Sequence, residues 1–187
     1  MHTMTRKSLK LIQRGFTLIE LLIVVIILAI LAAILIPQFS SSTVAAQEAA
    51  LDANLNGLRT AIELYKVQHS GNYPGAVAAT GATCTVGTAG TGAINTQQAI
   101  TDQLTKWSSI TGTTCSGADT TTPLGPYIRK GIPADPINNI ATITVTLTGA
   151  PLVAAGTAGG WAYDTKSGQI IMNSTANDSK AKAYSAH

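Results

Sequence analysis

The chain has 187 residues, 45% of them hydrophobic and only 11% charged, with a formal net charge of +3 and a mean hydropathy of +0.25. This length suits one compact domain with an extension, and the low charge excludes a disordered acidic or basic chain. The basicity is local: Arg6, Lys7, Lys10 and Arg14 lie in residues 1–15, which hold no acid, and the remaining 8 bases and 9 acids offer no basic patch for nucleic acid.

Residues 16–36 are apolar except for Thr17 and Glu20. As a helix they span about 31 Å, the thickness of a bilayer's hydrocarbon core. A secretory signal peptide is the other reading, but the run is longer than a usual h-region and no small-x-small site follows it. The four preceding cations orient the segment with its N-terminus in the cytoplasm and the rest exported. Glu20 is the odd residue, because a carboxylate inside an apolar span is costly and calls for a partner, or else must snorkel to the headgroups.

Pro37 closes the apolar run and predicts a kink or a local loosening, or else a plain helix end. Periodicity nevertheless resumes at once. Val44, Leu51, Leu55, Leu58, Ile62 and Tyr65 form one apolar stripe, which extends the helix to about residue 70, where Gly71 and Pro74 are stop signals.

Residues 75–126 are rich in Gly, Ala and Thr and carry only three charges, Asp102, Lys106 and Asp119. A short helix is readable inside them, capped by Asn95 or Thr96, with Ala99, Ile100, Leu104 and Trp107 facing inward. Cys84 and Cys115 flank it. In an exported domain they are expected to form a disulfide, whose loop of about 30 residues stabilises the fold by roughly 3–4 kcal/mol. Strict alternation around Ile143, Val145 and Leu147 predicts a half-buried strand. Two more strands are expected at Trp161-Ala162-Tyr163-Asp164 and Gln169-Ile170-Ile171-Met172, antiparallel across the turn Thr165-Lys166-Ser167-Gly168. Residues 177–187 read as a polar tail.

The stretch Arg14-Gly15-Phe16-Thr17-Leu18-Ile19-Glu20-Leu21-Leu22, behind a basic leader and ahead of a long apolar helix, resembles the prepilin cleavage and methylation motif of type IV pilins and type II secretion pseudopilins. Weaker matches are the helix exit with Tyr65, Gly71 and Tyr73-Pro74, the stretches Gly125-Pro126-Tyr127-Ile128 and Pro133-Ala134-Asp135-Pro136, and the Gly-Trp-x-Tyr hairpin. The resemblance implies an α+β, type IV pilin-like fold, in which a long N-terminal helix packs on a small antiparallel sheet. It implies cleavage between Gly15 and Phe16 by a membrane prepilin peptidase, N-methylation of Phe16, and pairing of Glu20 with the N-terminal ammonium of a neighbouring subunit. The divisions expected are a leader at 1–15, a membrane and filament-core helix at 16–36, its amphipathic continuation at 37–74, a loop region with a short helix at 75–139, a sheet at 140–176 and the tail at 177–187.

The resemblance also implies the partners: identical or homologous pilin subunits, the peptidase, an inner-membrane assembly platform, and the membrane itself before assembly. The expected location is the bacterial inner membrane as a single-pass precursor, then an extracellular pilus or a periplasmic pseudopilus. No cofactor is expected. Calcium is the one candidate, because Asp164, Asn173, Asn177 and Asp178 are oxygen ligands and the layout resembles the calcium-binding region of major pseudopilins. No catalytic constellation is visible around His2, His69 or His187, so an enzyme is not expected. The disulfide and the neutral, Thr-rich loop favour a surface pilus for adhesion, twitching motility or DNA uptake. The alternatives are a type II secretion pseudopilin and an anchored binding domain that never polymerises, against which Glu20 argues.

Overall fold

The computed structural model describes residues 15–149, 151–156 and 159–187. The leader and its cations Arg6, Lys7, Lys10 and Arg14 lie outside the described residues. The chain divides into two units, residues 1–43 and 44–187, and one helix, α1 (Leu18–Gln68), contributes to both. It continues through Pro37 without interruption. Within the first unit Leu18–Ile36 has a mean hydropathy of 3.4 and none of it is buried, which makes it long and apolar enough to cross a membrane.

In the second unit α1 buries the stripe that its spacing announces. Leu51, Leu55, Leu58, Ile62 and Tyr65 are each at most 2% exposed. The helix stops where Ser70 and Gly71 both take positive φ, and the Gly71 N–H returns to the Lys66 carbonyl at 3.0 Å. A left-handed glycine just past the last turn satisfies a carbonyl that would otherwise be orphaned.

The short helix α2 (Gln97–Thr105) begins at Thr96, whose hydroxyl accepts from the Ala99 N–H at 3.2 Å. It buries Ile100 and Leu104 in the core. Beyond it, β1 (Trp107–Ser108) and β2 (Thr114–Cys115) form a two-stranded antiparallel ribbon. Cys115 is joined to Cys84 by a disulfide, with the Cα atoms 5.8 Å apart. Asp102 ties this region together: it is 1% exposed, accepts from the Thr91 and Gly92 N–H groups, and pairs with Lys106 at 2.8 Å. Burial pushes its pKa up, but Lys106 and those N–H groups outweigh burial and hold it below the ordinary carboxylate value.

The second sheet comprises β3 (Ile143–Thr146), β4 (Trp161–Asp164) and β5 (Ile170–Met172), in that order. β4 and β5 pair antiparallel across the short turn, as the sequence predicts, but β3 and β4 run parallel, so this sheet is mixed. The physical reason is the connection: residues 147–160 are long enough for the crossover that a parallel pair requires, whereas a tight turn cannot make one. Trp161, Tyr163 and Met172 pack on the α1 stripe in the core.

Residues 177–187 are docked onto the second unit. Tyr184, in a 3-10 turn at Tyr184–Ala186, joins the core, and Arg59 donates to the main-chain oxygen of His187 at 2.8 Å. The Ser179 N–H and hydroxyl both donate to Glu48. Composition alone read this segment as a polar tail, because its one large apolar residue is too little to announce burial.

Candidate functional site

Three residues outside any regular element, Gly15, Phe16 and Thr17, lead into α1. Among the described residues, a Cβ built on Gly15 would meet nothing within 4 Å. Phe16 is 77% exposed.

Thr17 and Glu20 form a reciprocal cap. The Thr17 N–H donates to Glu20 Oε2 at 3.0 Å, the Thr17 hydroxyl donates to the same oxygen at 2.8 Å, and the Glu20 N–H donates to Thr17 Oγ1 at 3.3 Å. This is the arrangement of a capping box, which satisfies otherwise orphaned donors at a helix start and places a carboxylate at the positive end of the helix dipole. Thr17 is thus a partner of Glu20 besides the cation or the headgroups expected for it, and the spacing Thr-x-x-Glu ahead of an apolar run is itself the signal of such a cap. All three bonds involve Oε2 or the backbone. Glu20 Oε1 has no partner among the described residues and remains open to a donor from another molecule.

Downstream, two of the segments noted as weaker matches meet at one buried carboxylate. Asp135 is 0% exposed and accepts from the N–H groups of Ile137, Asn138, Ile140 and Gly160. Trp161 Nε1 donates to the Pro133 carbonyl at 2.7 Å. The Pro-Ala-Asp-Pro loop and the Gly-Trp-x-Tyr strand are thus two halves of one joint.

Of the four residues considered for calcium, Asp164, Asn173 and Asp178 have protein donors on their side-chain oxygens. Asp164 accepts from the Gly149, Lys166 and Ser167 N–H groups and from the Thr146 and Thr148 hydroxyls, and these N–H bonds outweigh burial and hold its pKa at about 2. Asp178 accepts from the Lys180 and Lys182 N–H groups and lies 3.2 Å from His187 Nε2. Asn173 Oδ1 accepts from the Ala155 and Gly156 N–H groups. Among the described residues no group of three or more His, Cys, Asp or Glu side chains is placed to hold a metal.

No curated protein and no solved structure matches the chain. Residues 11–36 match the family described as the Prokaryotic N-terminal methylation motif, whose members are structural rather than catalytic. The match takes in the Gly15-Phe16 junction, Thr17, Glu20 and the apolar run to Ile36. In these residues the chain carries the signal motif of the type IV pilins and pseudopilins.

Proposed function

We propose that the chain is a structural subunit of a type IV pilus-like surface filament that serves adhesion, twitching motility or DNA uptake. The precursor sits in the bacterial inner membrane through Leu18–Ile36, with its N-terminus in the cytoplasm. Prepilin peptidase cleaves between Gly15 and Phe16 and methylates the new amine. An inner-membrane platform then adds the subunit to a homopolymer. Glu20 accepts the Phe16 ammonium of a neighbour through its open oxygen, while Thr17 holds the other. In low dielectric a matched cation relieves the cost of a carboxylate, which makes the assembled state preferable to the lone subunit in lipid.

The observation that carries a pilus over a secretion pseudopilus is the bridged loop. Cys84 and Cys115 staple a stretch that is nearly free of charge, and an extracellular filament gains most from a covalent constraint. The protein donors on Asp164 and Asp178 favour a subunit that works without calcium. The test is electron microscopy of material sheared from cells with and without this chain. Surface filaments that vanish with the gene are expected. Intact cell-surface filaments in the deletion strain, together with loss of protein secretion, would transfer the chain to the pseudopilins.

A further inference from the structure

Three charged side chains of α1 reach residues 177–187. Glu48 accepts from the Ser179 N–H and hydroxyl at 2.7 and 2.8 Å, Asp52 lies 2.8 Å from His187 Nδ1, and Arg59 donates to the main-chain oxygen of His187 at 2.8 Å. Positions 48, 52 and 59 follow one another by about one and then two helical turns, so the three share one face of α1.

The His187 ring sits at the centre of this contact, with its side chain 7% exposed. Its Nε2 lies 3.2 Å from Asp178 Oδ2, so each ring nitrogen faces a carboxylate. Asp178 is fixed in turn: its side chain is 4% exposed, and its other oxygen accepts from the Lys180 and Lys182 N–H groups. Burial pushes the Asp178 pKa up, but those N–H groups and His187 outweigh burial and hold it below the ordinary carboxylate value. A carboxylate only accepts, and a neutral imidazole has a single N–H. The neutral ring therefore satisfies one aspartate and sets a lone pair against the other, whereas the imidazolium donates to both. The other charged and titratable groups nearby have their own places. Glu48 is taken by Ser179, and Arg59 by the main-chain oxygens of Ile170 and His187. Lys180, which lines the same cavity of about 260 Å³, is exposed, as is Lys182. The Tyr184 ring is 6.0 Å away, and burial pushes its pKa up.

We propose that residues 177–187 form a pH-operated strap, docked on α1 while His187 is charged and bridges Asp52 to Asp178, and released as that proton leaves. The docked strap holds a proton that the free strap gives up as the pH rises through the range in which histidines titrate, about 5 to 8. Docking is therefore firmest in acid and weakens with rising pH, by at most about tenfold per pH unit for one proton. Release bares Tyr184, which is 7% exposed when docked and belongs to the core. The strap works within one chain and does not depend on the filament reading.

The test is hydrogen–deuterium exchange of the full chain in detergent micelles, with rates corrected for the pH dependence of the exchange chemistry. The amides of Ser179, Lys182 and Tyr184 are hydrogen-bonded in the docked strap. Their protection should fall about tenfold between pH 5.5 and 8.0, the effect of one charge-assisted hydrogen bond. The amides from Leu55 to Ile62 in α1 should not fall with them. His187→Gln cannot charge, so its strap should be less protected at pH 5.5 and flat across the range. Asp52→Asn leaves Asp178 and its main-chain bonds in place, and its amide can donate to an unprotonated ring nitrogen, so it too should flatten the profile. Equal pH slopes in wild type and either variant overturn the proposal. Loss of protection from Leu55 to Ile62 in parallel with the strap shows unfolding of the whole unit instead of release, and overturns it as well.

Discussion

Acid should weaken the second unit through one buried histidine. His69 is 0% exposed and stacks on Tyr65, with ring centroids 3.6 Å apart and planes 6° from parallel. Its Nδ1 lies 2.8 Å from the Tyr65 carbonyl, which can only accept, so Nδ1 carries the proton of the neutral ring. Nε2, 2.9 Å from Ser108 Oγ, then accepts from that hydroxyl. A second proton on the ring would turn this acceptor into a donor facing the serine. Burial accordingly pushes the His69 pKa below its ordinary value, against the main-chain bonds that pull it up.

The folded-state pKa therefore lies below the unfolded value of about 6.5, and between the two the unfolded chain binds more protons. Stability is complete above about pH 6.5 and falls as the pH drops towards the folded-state pKa, by up to about 1.4 kcal/mol per pH unit. His69→Phe keeps the stack on Tyr65 and cannot titrate. It should cost about 1–3 kcal/mol at pH 7.5, because Ser108 is left buried without its acceptor. Its pH profile should be flatter than that of the wild type between pH 6.5 and 5. Urea unfolding of the full chain in detergent, followed by the fluorescence of buried Trp161, measures both curves, and their difference cancels every other titrating group. Parallel profiles for wild type and His69→Phe across that window would refute the reasoning.

Mass spectrometry of assembled protein should find Phe16 at the N-terminus with one added methyl, and a chain still starting at Met1 would contradict the processing step. Replacing Cys84 and Cys115 with serine should lower unfolding stability by roughly 3–4 kcal/mol, from the entropy of the loop they close. Equal urea midpoints with and without the bridge would count against it. Glu20→Ala should be inserted and cleaved normally, yet leave processed protein in the membrane with few filaments. Thr17→Val, which removes the hydroxyl bonds but not the carboxylate, should assemble better than Glu20→Ala. Equal filament counts from wild type and Glu20→Ala would exclude charge pairing as the recruiting force.

Several elements were legible residue by residue. The α1 stripe at Leu51, Leu55, Leu58, Ile62 and Tyr65, the Thr96 cap of α2 and the strand from Trp161 to Asp164 are announced by spacing within a few residues. The Thr17–Glu20 cap is legible too, since both partners lie within one turn. By contrast, nothing local to Asp135 says that its oxygen will reach Gly160, or local to Arg59 that it will meet the main chain of His187.

Sequence by itself determined the membrane-length apolar run, the junction that precedes it and the amphipathic face that follows. These are properties of neighbours along the chain, where periods of two or 3.6 residues and the sign of nearby charge suffice. Only the tertiary structure decided that β3 runs parallel to β4, that Tyr184 returns the last segment to the core, and that His69 is buried. Those outcomes depend on which distant donors and surfaces meet when the chain closes its long loops, and a loop's closure leaves no periodic trace in the residues that it brings together.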